Sequence, residues 1–143
     1  MKKRLLLTVL LLGGCTSAWQ DHGNITETVL TPAQQRTVAA RMADTVFRHY
    51  GSRSIFSLPH NPDNAFASQL AGALRAKGIG VNDSTGSVIT NTPLHYKVVN
   101  LNPQQFYTEL DIGRVRINQI WSLQDNILAP IAVQTREVID GEG

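Results

Sequence analysis

Apolar residues recur at helical spacing in two stretches of the chain and at every second position in a third. Val38, Met42, Val46 and Tyr50 fall four apart on one stripe, with Ala39, Ala43 and Phe47 beside it and Arg36, Arg41, Asp44 and Arg48 mostly elsewhere. That spacing predicts an amphipathic helix ending near Tyr50. Its start is written in Thr31-Pro32-Ala33-Gln34: a hydroxyl that can accept a free backbone N–H, a proline at the first helical position, and a glutamine three residues after the cap. Gly51 supplies the stop. Ser54 to Leu58 reads as a short strand ended by Pro59-His60-Asn61-Pro62. Asn61-Pro62 repeats the cap-and-proline signal, and Phe66, Leu70, Ala73 and Leu74 mark the apolar face of a second helix. Arg75 and Lys77 suit the carbonyl end of its dipole, Gly78 can take a left-handed conformation, and Ile79 is placed for the hydrophobic contact that follows such a cap. Ile79 to Val81 should begin a strand returning beside the first, and Asn82 to Thr92 reads as a loop that could hold a short edge strand.

From Pro93 onward the period drops to two. Leu94, Tyr96 and Val98 alternate with His95 and Lys97; Phe106, Thr108, Leu110 and Ile112 with Tyr107, Glu109 and Asp111; Val115, Ile117, Gln119 and Trp121 with Arg116 and Asn118. These are half-exposed strands. Asn102-Pro103, Gly113 and Gln124-Asp125-Asn126 provide the turns, and Ile127 to Val138 a last strand in which Pro130 demands an edge or a bulge. The expected fold is α+β: two helices packed on one face of a mainly antiparallel sheet that ends in a four-strand meander, the other face wet or covered by a partner.

The first thirty residues follow neither period. Lys2, Lys3 and Arg4 form a cationic head, Leu5 to Leu12 an apolar run broken by Thr8, and Gly13-Gly14 a small-residue exit before Cys15, the one cysteine in the chain. A bilayer-spanning helix needs about 20 apolar residues, so this run is too short to span and reads as an export signal. Leu12-Gly13-Gly14-Cys15 resembles the bacterial lipobox, which implies cleavage before Cys15, acylation of its thiol and amine, and a membrane-held mature protein. Stable anchoring takes more than one acyl chain. Thr16 in place of Asp implies sorting to the outer membrane. The expected organisation is a signal peptide over residues 1–14, a lipidated cysteine and tether over 15–30, and a single periplasmic domain over 31–139. Within the tether, Trp19 and Ile25 stand as isolated apolar residues and are candidate partner contacts, an exposed tryptophan being a frequent interface anchor.

Cleavage changes the electrostatics. Of 13 basic residues three leave with the signal, so 10 remain against 11 acidic ones in the mature 129-residue chain, a net charge of about −1. The basic balance belongs to the discarded segment and supports no direct nucleic-acid binding. With its thiol lipidated the domain has no disulfide, and its stability must come from a packed core.

Catalytic chemistry finds little purchase. His22, His49, His60 and His95 sit in tether, helix, turn and strand without metal-ligand spacing, and no nucleophile elbow or phosphate loop occurs. Gly78-Ile79-Gly80 lacks the third glycine of a dinucleotide site. Glu109 and Asp111 project from one face of a strand, a geometry more in keeping with cross-strand pairing to Arg114 or Arg116 than with a carboxylate pair at work. The chain reads as no enzyme, without cofactor, metal or small-molecule substrate.

The order of motifs resembles the TrbH family of conjugal transfer lipoproteins. The resemblance runs from the lipobox through Leu30-Thr31-Pro32 and the helix with Ala40 and Met42-Ala43. It is densest from Phe66 to Val81, where Ala73-Leu74-Arg75-Ala76-Lys77-Gly78 is similar to the family's helix-to-strand segment, with Gly80 where the pattern has alanine. Pro93-Leu94-His95-Tyr96, the aromatic strand from Phe106 to Gly113 and Pro130 complete it. The resemblance implies a component of the mating-pair formation apparatus, the type IV secretion channel that moves plasmid DNA between bacteria. It implies a palmitate-bearing lipoprotein facing the periplasm, bound to other outer-membrane core proteins of the channel and to lipid through Cys15. It carries over no catalytic residue. The alternative is a general envelope lipoprotein whose domain reaches through the periplasm to bind or activate a cell-wall enzyme or envelope protein.

Overall fold

Thr31 opens the first helix, α1 (Pro32–Tyr50), in the expected manner. Its hydroxyl accepts from the Gln34 N–H at 3.1 Å while the Gln34 side chain accepts from the Thr31 N–H at 3.0 Å, so two free donors of the first turn are satisfied reciprocally. The Gly51 N–H closes the other end on Phe47 O at 2.8 Å. The computed structural model describes residues 19–85 and 91–139, so the signal segment and Cys15 lie outside the described residues.

The second helix, α2 (Ala65–Ala76), starts three residues later than its proline signal indicates. Asn64 is the cap, its Oδ1 accepting from the Ala67 N–H at 3.0 Å. Asn61 instead turns its side chain onto the Asp63 N–H at 2.9 Å, a local turn that competes with helix initiation. The far end matches expectation: Ile79 N–H bonds Leu74 O at 3.1 Å and Gly78 N–H bonds Arg75 O at 2.9 Å. That pattern needs a left-handed residue, and Gly78 sits at φ 84° with Ile79 buried behind it.

Among the described residues nine strands form one sheet: β1 (Trp19–Asp21), β2 (Asn24–Glu27), β3 (Ile55–Ser57), β4 (Gly80–Asn82), β5 (Thr92–Asn102), β6 (Gln105–Ile112), β7 (Val115–Gln124), β8 (Ile127–Pro130) and β9 (Thr135–Val138). The main path runs β1-β2-β5-β6-β7-β8, with β3 and β4 beside the start of β5 and β9 beside the start of β7. The sheet is mixed, which corrects the mainly antiparallel expectation: β2 and β3 run parallel to β5, and β4 parallel to β3. A helical crossover returns the chain in its original direction, as α2 does between β3 and β4, and alternation of side chains carries no information on strand direction.

Two further expectations are corrected. The last strand is two short ones, β8 and β9, both on the free side of β7 but at opposite ends of it. Pro130 faces its nitrogen away from β7, so it is tolerated on this edge strand, and Ile131 N–H makes the last bond to β7, on Ile120 O at 3.0 Å. The segment read as a tether over 15–30 is a hairpin from Trp19 onward, built into the sheet beside β5. His22 and Gly23, at φ 53° and 87°, make the two-residue turn that suits the twist of paired strands. Polar Gln20, Asp21, Asn24 and Thr26 conceal these strands from any hydrophobic count.

Both helices contribute to a single core with the sheet face formed by Leu94, Tyr96, Val98, Phe106, Leu110, Ile112, Ile117 and Trp121. From α1 come Val38, Ala39, Met42, Ala43 and Val46, and from α2 Phe66, Ala67, Leu70 and Leu74. Phe47 and Tyr50 are half out of it; Lys77 Nζ lies 5.5 Å from the Phe47 ring, and Tyr50 meets Phe56 edge-on at 5.6 Å. Gly80 stands against Ile55, whose Cγ1 would lie 2.9 Å from a Cβ at that position; an alanine there needs the exposed Ile55 to rotate away.

Candidate interaction surface

The opposite face of the sheet carries no helix among the described residues. Because side chains alternate, β6 presents Tyr107, Glu109 and Asp111 to this face, β7 presents Arg116, Asn118 and Ile120, and β5 presents His95, Lys97 and Val99. Ile25, a candidate contact from the sequence, lies here too, aligned with Lys97 and half-buried. Trp19 opens β1 at the sheet edge, paired with Thr26. Neither residue hangs on a free tether, so the premise on which they were singled out is replaced by a structured one.

The centre of this face is an ordered polar group. Arg116 grips Asp111 through two contacts, Nε to Oδ1 at 2.8 Å and Nη2 to Oδ2 at 2.9 Å, and its Nε is also 3.3 Å from Glu109 Oε2. Bidentate pairing fixes the guanidinium plane as well as its position. The Tyr107 hydroxyl lies 2.9 Å from both Glu109 Oε1 and Asn118 Oδ1. One proton cannot serve two acceptors; with the Asn118 amide turned over, the hydroxyl donates to Glu109 and accepts from Asn118 Nδ2. The Asp111 hydrogen bonds hold the Arg116 guanidinium above its ordinary range, and burial, reinforced by the Glu109 acceptor, pushes the Tyr107 phenol up. The cation therefore stays charged and the phenol protonated at any physiological pH. Arg116, directly across from Asp111, makes these pairs, while Arg114 lies in the turn before it.

A second polar group fills a break in the sheet. Along one edge of β5, β3 pairs up to Pro93 and β2 begins at Lys97, leaving the backbone of Tyr96 without a strand partner. Asn24 Oδ1 takes the Tyr96 N–H at 2.9 Å, and Asp21 Oδ2 takes the Asn61 N–H at 2.7 Å and Asn64 Nδ2 at 2.9 Å. The same amide reaches the Tyr96 hydroxyl at 2.9 Å, and burial raises that phenol to about 12. Asn24 thus stands in for a missing strand beside Tyr96 and Asp21 holds the turn and cap before α2, which is why both polar side chains are buried. Outside them lies an open cleft of about 600 Å³ lined by His22, His60, Pro62, Ser68, Asp83 and Ser84. His22 Nε2 is 3.7 Å from Asp21 Oδ1, whereas His60 Nδ1 turns to Leu58 O at 2.8 Å. Among the described residues no three histidine, cysteine or acidic side chains are grouped closely enough to hold a metal.

A third polar group lies under α1. Trp121 Nε1 donates to Thr108 Oγ1 at 3.0 Å, Gln119 Nε2 to Ala132 O at 2.7 Å and Gln134 Nε2 to Thr45 Oγ1 at 3.2 Å. The last two bonds fasten the segment between β8 and β9 to the core. The alternation along the strands points to the pairing of Glu109 and Asp111 with Arg114 or Arg116, and the structure selects Arg116; the other two groups have no such signal, since each joins segments far apart in the chain. The nearest local signal is Asp21-His22-Gly23-Asn24, where a glycine at a turn is flanked by residues that bond backbone.

Such an architecture, two helices over one face of a mixed sheet with the other face set as an ordered polar surface, belongs to the class of small α+β domains. The particular family follows from comparison: the model of the conjugal transfer protein TrbH matches residues 19–137, and the chain belongs to that family. The match begins at the first residue of β1 and ends in β9. Comparison with curated proteins and with solved structures finds no match. No helix among the described residues is long and apolar enough to cross a membrane.

Proposed function

We propose that the protein is an outer-membrane lipoprotein of a conjugal transfer channel, anchored through acylated Cys15, whose domain binds and stabilises the channel core from the periplasmic side. The carrying observation is the family match from residue 19, set immediately behind a lipobox-like Leu12-Gly13-Gly14-Cys15. Support for a binding role comes from the uncovered sheet face, where Tyr107, Glu109, Asp111, Arg116 and Asn118 are mutually oriented and so present a fixed pattern of charge at small ordering cost. Ile25 and Lys97 extend that face towards the β1 edge, where Trp19 begins the sheet. The other strand edge favours β9 over β8. Ile139 N–H bonds Arg114 O, so alternate groups of β9 point inward and those of Arg136 and Val138 point outward. On β8 the outward positions are Leu128 and Pro130, and the proline offers no donor.

The test is affinity purification of the protein from envelopes of mating donors, with Cys15→Ser as comparison. The expected result is co-purification of channel core subunits, an acyl mass on Cys15 and a fall in transfer frequency for Cys15→Ser. Recovery of cell-wall enzymes in place of channel subunits would overturn the channel assignment.

A further inference from the structure

The β1–β2 hairpin leaves three residues between Cys15 and the first strand residue, Trp19. Four residue steps span at most about 14 Å at roughly 3.6 Å each, whatever conformation they adopt. An acylated Cys15 lies at the lipid–water boundary, so β1 begins no further than that from the membrane.

The sheet end that lies nearest is set by register. Trp19 pairs with Thr26, and Thr26 aligns with Val98, so the chain enters β1 beside the last third of β5. At this same end lie the β5–β6 turn after Asn102, the β7–β8 turn after Gln124 and the segment that leaves β2 for α1. Three large apolar side chains stand out on it: Val29, Leu101 and Ile127, at 77%, 52% and 68% exposure. Leu101 is three residues beyond Val98, about 10 Å at the strand rise of roughly 3.3 Å per residue. The rim therefore projects most of the way along the longest reach of the linker. Its turns are Asn102-Pro103-Gln104 and Gln124-Asp125-Asn126, with one charge between them, and Glu27, aligned with Val99, adds a second at the end of β2. The opposite end holds Arg48 and Lys77, both paired with Asp44, together with Arg53 and Arg114.

Resting on the lipid-anchor reading above, we infer that Val29, Leu101 and Ile127 form a membrane-docking rim that seats the domain directly on the bilayer surface, strands upright and β6–β7 turn away from lipid. The occupant is the lipid interface rather than a protein because the anchor's own length holds the rim there. Apolar side chains at this depth enter the headgroup boundary, and a charge-poor surround removes the desolvation cost that the opposite end would incur. A domain so seated cannot reach across the periplasm.

Lipidated protein in phosphatidylethanolamine–phosphatidylglycerol vesicles carrying a nitroxide lipid provides the test. Acylation consumes the one native thiol, so Leu101→Cys or Ile127→Cys can be labelled alone with an environment-sensitive fluorophore, with Arg53→Cys and Arg114→Cys as far-end controls. The expected result is a blue shift and loss of more than half the emission at 101 and 127, neither at 53 or 114. Val29→Asp with Ile127→Asp should reduce quenching at 101 several-fold while the acyl chains still float the protein with vesicles. Rim labels unquenched on protein that floats would overturn the docking alone; rim labels that cross-link between copies would assign the surface to a second molecule and overturn it likewise. Protein without acyl mass that does not float would overturn the anchor reading together with the rim.

Discussion

The two faces of the sheet are built from the same strands, residue by residue in alternation, yet hold different kinds of side chain and different shares of the free energy. On the helix side Phe106, Leu110, Ile117 and Trp121 are removed from water against α1 and α2. On the other side Tyr107, Arg116 and Asn118 are half-buried around a buried Glu109, with no element above them among the described residues. Burial of apolar area dominates folding free energy, whereas exposed ion pairs contribute little because solvent screens them. The first face accordingly holds the domain together, and the second is free to be shaped for recognition.

The sharpest way to break that comparison is to truncate one residue on each side. Trp121→Ala removes a side chain 1% exposed together with its hydrogen bond to Thr108 Oγ1, and should cost about 3–5 kcal/mol in urea unfolding. A cost under about 1 kcal/mol would mean that the helix-side core is not what carries stability.

An intermediate effect should appear at high pH. The Tyr96 phenol, on the helix side, is held near 12 against 10.0 when free. A raised phenol means the fold favours the protonated form, so this contribution is complete below pH 10 and is lost as pH rises towards 12. Wild type should therefore lose more stability between pH 9.5 and 11.5 than Tyr96→Phe, measured by denaturant midpoint; equal losses would detach Tyr96 from the alkaline transition. Tyr107 shifts in the same direction, and Tyr107→Phe separates its share.

The smallest effect is expected on the open face. Arg116→Met removes the partner of Asp111 and Glu109, but with the arginine side chain 31% exposed the loss should be about 1 kcal/mol. Its larger consequence should be for association with channel subunits, read by co-purification. A stability loss matching that of Trp121→Ala would make this face structural and remove the ground for treating it as a recognition surface.

How far the chain could be read differs between regions for physical reasons. The caps at Thr31 and Lys77-Gly78-Ile79 are local hydrogen-bond geometries within six residues, and both stand where the sequence places them. Helix faces and strand alternation are equally local. The start of α2 was misplaced because Asn61 and Asn64 both bond neighbouring backbone N–H groups, and only packing decides which of them begins the helix. The β1–β2 hairpin resembles a tether in sequence because its residues are polar. They are polar because they bridge a gap beside Tyr96 that does not exist until β3, β5 and α2 have met.

The sequence by itself determined the two helices, the alternation of the late strands, the apolar core and the lipobox-like segment ending at Cys15, since each rests on spacing or chemistry within a few residues. Only the tertiary structure decided that β2 and β3 run parallel to β5, that Arg116 pairs with Asp111 and Glu109, and that three residues separate Cys15 from a strand. Strand direction, cross-strand partners and the distance from anchor to domain are set by which distant segments share hydrogen bonds, and no local pattern encodes that choice.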